Sequence, residues 1–264
     1  MWQFANILAV RNEGWDMPES TFSPWPEGCE TAISLTFDDG MKSQLERAIP
    51  YMNKVGLRGT FYVVPNDNYR ELLQPWIEVA KAGHEVGNHT TRHPCSKSLG
   101  RSFGLEQLTL ADIEADILLA EARLEELMPG QPRSFCYPCY YHHVGAGLTR
   151  QSYVPVVAKH FIAGRTGTCN RGYLVDTAAC DLHCLESQAC ETMTGYEMIG
   201  LCERAANRRH WCILTFHGIH EGQLSVSDGD LRELCDHLVK HQKRFYVTPV
   251  VEVAKRIATA RANQ

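Results

Sequence analysis

Apolar and polar positions along the chain fall into short blocks that change period. Ala32 to Phe37 (AISLTF) and Thr60 to Val64 (TFYVV) are strand-sized, β-branched and aromatic runs. Between them, Leu45, Ala48, Ile49 and Met52 recur at helical spacing. Leu72 to Ala82 predicts a helix, and His84 to Asn88 a short strand. Thr109 and Asp112 form a capping box with Asp in place of Glu, opening a helix to about Leu127. Further strands are expected at Ser134 to Tyr137, His160 to Ala163, Trp211 to Phe216 and Phe245 to Val247. Helices are expected over Gly195 to Asn207 and Asp228 to Lys243, and from Pro249 onward with Thr248 as the N-cap.

Strands that alternate with helices imply a parallel sheet with right-handed crossovers. Seven or so such units follow a polar, Pro-bearing lead-in over residues 1–30. Residues 31–264 then suit a single (β/α) barrel domain, a fold that places its chemistry at the C-terminal ends of the strands.

Composition agrees with a packed globular chain: 44% hydrophobic and 22% charged in 264 residues. It excludes a disordered, collagen-like or coiled-coil protein. The net charge of −5 offers no basic excess for nucleic acid. No apolar run is long enough for a transmembrane helix, so no membrane partner is expected. The 11 cysteines are an odd count and scattered, and several sit in apolar strand contexts as small buried hydrophobes. With no secretory leader visible at the N-terminus, they favour a reducing, cytoplasmic setting.

The candidate chemistry lies just past the strands. Asp38-Asp39-Gly40 follows the first, His89 and His93 follow the one near Val86, and His217-Gly218 follows the penultimate. Each is ordinary alone: a turn, a surface histidine pair, a buried histidine. A parallel barrel brings all three to one face. There, one carboxylate and two imidazoles suit a catalytic divalent metal, with a spare carboxylate as base and a separate imidazole as acid.

These segments resemble the NodB-homology polysaccharide deacetylases, carbohydrate esterase family 4. Thr36-Phe-Asp-Asp-Gly40 matches the family's T-F-D-D-G motif, and His89-Thr-Thr-Arg-His93 matches H-[ST]-x-x-[SH]. Leu214-Thr-Phe-His217 matches L-x-x-H, and the resemblance runs from about Thr31 to Val253. It implies the family's distorted (β/α)7-8 barrel, in agreement with the independent pattern. It further implies that Asp39, His89 and His93 bind the metal: Zn2+ first, with Co2+, Mn2+ or Ni2+ as alternatives. Asp38 would be the base, His217 the acid, and Leu214 part of the acetyl methyl pocket. The implied reaction is hydrolysis of an acetyl group from an N-acetylated, or O-acetylated, sugar or oligosaccharide.

Two motifs depart from the pattern. The family's R-x-P-[YFW] is here Cys136-Tyr-Pro-Cys139, so the arginine that orients the base aspartate is missing. Arg165, past the next strand, is a candidate replacement from a neighbouring barrel position. Cys136 and Cys139 could instead be redox-active or zinc-binding, but a tight turn that aims the Cys139 N–H at the oxyanion site is preferred. The family's D-x-x-D-W has only Asp181 as a counterpart, with no tryptophan after it, and Asp181 would tune His217. Tyr140 and its neighbours offer a different substrate surface. A relative hydrolysing other amides, and a carbohydrate-binding relative without catalysis, are the alternatives. Both aspartates and His217 are kept, which pure binding does not need. The sequence leaves a homo-oligomer open.

Overall fold

The computed structural model describes residues 24–263 apart from 101, 169 and 171. Most of the expected lead-in over 1–30 lies outside them. Eight parallel strands carry the fold: β1 (Thr31–Phe37), β2 (Thr60–Val63), β3 (Glu85–Asn88), β4 (Phe135–Cys136), β5 (Gly164–Gly167), β6 (Leu185–Ala189), β7 (Cys212–Phe216) and β8 (Phe245–Val247). The first seven pair in that order, and β7 returns to β1 with Leu35 opposite Leu214, so the barrel closes. β8 lies against the start of β1, with Thr31 opposite Phe245.

Helices α1 (Ile49–Val55), α2 (Tyr69–Leu72), α3 (Gln74–Lys81), α4 (Leu110–Leu127), α5 (Val154–His160), α6 (Gly195–Arg208), α7 (Asp228–Lys240) and α8 (Val250–Ala262) cover the outside. The Thr109–Asp112 capping box forms as expected. Pro75, at the N-terminal turn of α3, divides the one helix expected over Leu72 to Ala82. The expected strand at His160 to Ala163 is displaced to Gly164–Gly167, because Val156 and Val157 bury one face of a helix that runs through His160. Pro249 rather than Thr248 is the residue before α8. Strand β6 was not anticipated: in Leu185-Glu-Ser-Gln-Ala189 the polar Ser187 and Gln188 are both buried, on opposite faces, which the sequence period alone does not mark.

Side-chain alternation along β1 decides what faces where. Ile33, Leu35 and Phe37 join the apolar layer between strands and helices, where Phe37 stacks on Phe61 at 4.7 Å and Phe216 at 5.0 Å. Ser34 and Thr36 turn the other way. Thr36 Oγ1 meets Thr215 Oγ1 at 3.2 Å, and Thr215 meets Ser187 at 2.7 Å, a buried hydroxyl chain across the barrel. Asp38 is the next position in that inward column. At the opposite end, buried Glu85 accepts from Ser134 N at 2.6 Å, Thr60 Oγ1 at 2.8 Å and Val251 N at 3.1 Å, clipping the start of α8 to the barrel.

Candidate active site

The turn after β1 sets the site. Asp38 is buried and its N–H donates to the Phe216 carbonyl at 2.9 Å. Asp39 then takes a left-handed conformation at φ 72° and Gly40 follows at φ 62°. A side chain at Gly40 would crowd Val63 Cγ1 at 3.2 Å, so the close approach also calls for glycine. The two carboxylates thus leave the turn in different directions, Asp38 inward and Asp39 towards the surface. Buried Gln44 secures the arrangement: its Nε2 donates to the Asp38 carbonyl at 2.6 Å and the His217 carbonyl at 3.0 Å, joining the ends of β1 and β7. In the sequence Gln44 is merely one polar position near a helix start.

Asp39 meets both histidines. Its Oδ1 lies 3.5 Å from His89 Nε2 and 3.2 Å from His93 Nε2. His89 Nδ1–H donates to the Cys136 carbonyl at 2.9 Å, which fixes the tautomer and turns Nε2 towards Asp39. The loop between them is tightly turned, with Thr90 at φ 62° and His93 at φ 47°. Asn88 Oδ1 accepts from Thr90 N, Thr90 Oγ1 accepts from His93 N, each at 3.0 Å, and buried Asp116 holds Thr91. Asn88 and Asp116 carry no motif, so sequence reasoning passed over them. All three donor atoms lie within 4.8 Å of one another. Tetrahedral ligands of zinc stand about 3.4 Å apart, so one carboxylate and two imidazoles at these spacings fit a divalent ion. Burial disfavours the Asp39 charge, but both histidines outweigh it and hold the carboxyl far below its ordinary value. Burial pulls His89 down, which favours the neutral, ligating ring.

Arg165 reaches Asp38. Its Nη2 donates to Asp38 Oδ1, and the same nitrogen lies 2.9 Å from Cys136 Sγ. The guanidinium is wholly buried, 5.1 Å from the Tyr62 ring centroid and 5.7 Å from that of Tyr140. Burial alone would raise the Asp38 pKa; Arg165, His89 and His217 reverse that and keep it lowered. Cys136 is buried beside them, its thiol 3.7 Å from Asp38 Oδ2 and its pKa pushed well up by burial.

His217 Nε2 is 3.9 Å from Asp38 Oδ2, and its Nδ1 faces Glu191 Oε1 at 3.2 Å, off the line of a well-formed hydrogen bond. Burial lowers the imidazolium's stability, yet Glu191, Asp38 and Asp39 outweigh it and raise the pKa. Asp181, expected to tune His217, instead accepts from His183 N at 2.8 Å and lies 3.6 Å from His183 Nδ1. The loop ahead of β6 leads Asp181 away, and Glu191, past the end of that strand, takes the place beside His217. Leu214 shares the face of Cys212 and Phe216 and is wholly buried in the sheet–helix core, away from the Asp38 cluster. Tyr140 is brought in, its ring against Arg165 and its carbonyl accepting from Thr166 Oγ1 at 2.7 Å.

Cys139 corrects the expectation of unpaired thiols. It is disulfide-bonded to Cys95, with Cα atoms 5.7 Å apart. The bridge joins the loop after His93 to the turn that carries Tyr140. Their 44-residue separation gave no pairing signal. No helix among the described residues is long and apolar enough to cross a membrane.

The polysaccharide deacetylase family profile matches residues 26–144. An uncharacterised Bacillus subtilis protein, YlxY, is 24% identical over 142 residues, covering 54% of this chain and 39% of that protein. The match thus spans about two fifths of that relative. A Mycobacterium smegmatis structure, proposed to be a polysaccharide deacetylase, superposes with a TM-score of 0.65 at 16% identity, covering 90% of this chain and 93% of the other. Peptidoglycan deacetylase PdaC of Bacillus subtilis gives 0.52 at 15% identity over 90% and 96%. A family 4 acetyl xylan esterase of Clostridium thermocellum, in complex with a cobalt ion, gives 0.52 at 16% over 85% and 91%.

Proposed function

We propose that this chain, which resembles the polysaccharide deacetylases in sequence over residues 26–144 and in fold over most of its length, is a metal-dependent deacetylase of acetylated saccharides. One observation carries the reading: Asp38, Asp39, His89, His93 and His217 converge past the strand ends, with Arg165 paired to Asp38.

Asp39, His89 and His93 hold the divalent ion, zinc being the first choice for two imidazoles and a carboxylate. A bound ion would supply Lewis-acid polarisation of an acetyl carbonyl and would bring the pKa of its water down towards about 7. Asp38, kept ionised by Arg165, takes the proton of the attacking water. His217, kept protonated by Glu191 and Asp38, donates to the departing nitrogen. That donation matters most for an amide, whose nitrogen leaves poorly unless protonated. The protonated His217 therefore brings an N-acetyl group within reach of the site, alongside the more labile O-acetyl esters.

The test is acetate release from N- and O-acetylated mono- and oligosaccharides, with and without chelator. Asp38→Asn and His217→Ala should each lose activity while retaining metal, and chelation should remove it reversibly. Metal-loaded protein that releases no acetate from any of these substrates would overturn the reading.

A further inference from the structure

We propose that the cleft between the end of β6 and helix α6 is a saccharide subsite for an uncharged pyranose ring linked to the acetylated one. The proposal rests on the deacetylase reading and deepens it. The cleft encloses about 740 Å³, within the roughly 300–1,000 Å³ of ligand sites. It adjoins the reacting centre through Glu191, which faces His217 Nδ1 at 3.2 Å and is also part of the cleft wall. A substrate seated on His217 therefore has its next ring at the mouth of this cleft.

The walls suit a neutral sugar. Tyr196 stands 80% exposed on the cleft, leaving an aromatic face for the C–H side of a pyranose. Arg204 lines it too, and among the described residues pairs with no carboxylate, so its N–H groups are available to hydroxyls. Gln188 is held by Gly172 N at 2.6 Å and by its own donation to the Ala189 carbonyl at 2.9 Å, a preset polar edge. Glu191, Glu197 and Glu203 also border the cleft. Glu203 is paired with Arg244 and His237, so Glu191, on the side of His217, is the carboxylate that an acidic sugar would meet first, and it favours a neutral one.

Gly200 supplies the test. It lines the cleft, and a Cβ added there meets nothing within 4 Å. Gly200→Tyr therefore fills the cleft without forcing the helix, and circular dichroism checks that it folds. The probes are N-acetylglucosamine and its β-linked trisaccharide. In the parent, kcat/KM should be about tenfold or more higher for the trisaccharide, since binding of a remote ring assists the reacting one. Gly200→Tyr should bring that ratio close to one, and Tyr196→Ala should lower it through KM. Trisaccharide binding is measured separately by ligand-observed NMR on Asp38→Asn protein. Loss of that binding on adding Gly200→Tyr supports the subsite even if no acetate is ever released, an outcome that sinks only the deacetylase reading. A trisaccharide with no advantage over the monosaccharide, or an unchanged ratio in Gly200→Tyr, overturns the subsite.

Discussion

Arg165 donates to the buried carboxylate of Asp38 from β5, a strand that is not a neighbour of β1 in the barrel. The pair therefore spans the barrel mouth. Arg165 Nη2 also sits 2.9 Å from Cys136 Sγ, so the cation occupies the space an arginine at 136 would have filled. Its charge is supplied from one strand further on.

Removing that charge leaves Asp38 buried without its strongest cation. Breaking such a pair costs on the order of 3–5 kcal/mol in stability. Arg165→Ala should lower the melting temperature and reduce acetate release by about 10²-fold or more, since Asp38 would no longer be held ionised. Metal content, set by Asp39, His89 and His93, should not change. Adding Cys136→Arg to Arg165→Ala should recover part of the activity, because the new side chain starts from the strand next door. Full activity in Arg165→Ala, or loss of the metal with it, would refute the assignment.

The parts of this site legible in sequence share one property: they are short-range. Asp38-Asp39-Gly40 and His89 to His93 can be read because strand, turn and ligand lie within a few residues. The barrel follows from alternating periods. What escaped depends on contacts between distant segments. Glu191 acts on His217 only because β6 ends beside β7, and β6 itself is hidden by polar residues on both faces, Ser187 inward and Glu186 and Gln188 towards the helices. Asp181 was the wrong carboxylate for the same reason: it precedes β6, whereas strand ends past β6 meet the site. Gln44, Asp116 and the Cys95–Cys139 bridge are likewise products of the closed fold. Arg165 was legible as a replacement charge for the base Asp38, but its contact with the Cys136 thiol and its seat between Tyr62 and Tyr140 were not.

Glu191 should set the alkaline limb of the pH profile. The limb reflects deprotonation of His217, whose pKa is raised above the ordinary histidine value despite burial. Glu191→Gln removes a negative neighbour and so destabilises the imidazolium. The alkaline limb of kcat/KM should move to lower pH, while the acid limb, which follows Asp38, should stay in place. Glu191→Asp should lie between. An alkaline limb that does not move would show that another group titrates there.

The Cys95–Cys139 bridge closes a long loop, and by the chain-entropy relation a separation of 44 residues corresponds to about 4 kcal/mol at most. It also steadies His93, whose Nδ1 lies 3.6 Å from Cys95 Sγ and whose backbone is left-handed. A dithiol reductant, itself oxidised to a disulfide, should therefore do two things. It should lower thermal stability, and it should speed metal loss to a competing chelator. Cys95→Ala should show both effects without reductant. Equal chelation rates in oxidised and reduced protein would confine the bridge to a stabilising role.

His84 should make stability depend on pH well away from the catalytic residues. It is buried, accepts from Gly59 N at Nδ1 at 3.1 Å, and meets Asn53 Oδ1 through Nε2 at 3.1 Å. Both ring nitrogens are thus committed in the neutral form. Burial, with Arg58 nearby, lowers its pKa from 6.5 to about 4. The unfolded chain then binds a proton between those values that the folded chain refuses. Stability is full above pH 6.5 and declines as pH falls towards 4, by about 3 kcal/mol in all and about 2 kcal/mol by pH 5. His84→Gln keeps an acceptor and a donor but cannot titrate. It should cost some stability at pH 7 yet flatten the decline between pH 7 and 5, read by urea denaturation at each pH. A variant whose decline matches the parent's would place the acid sensitivity elsewhere.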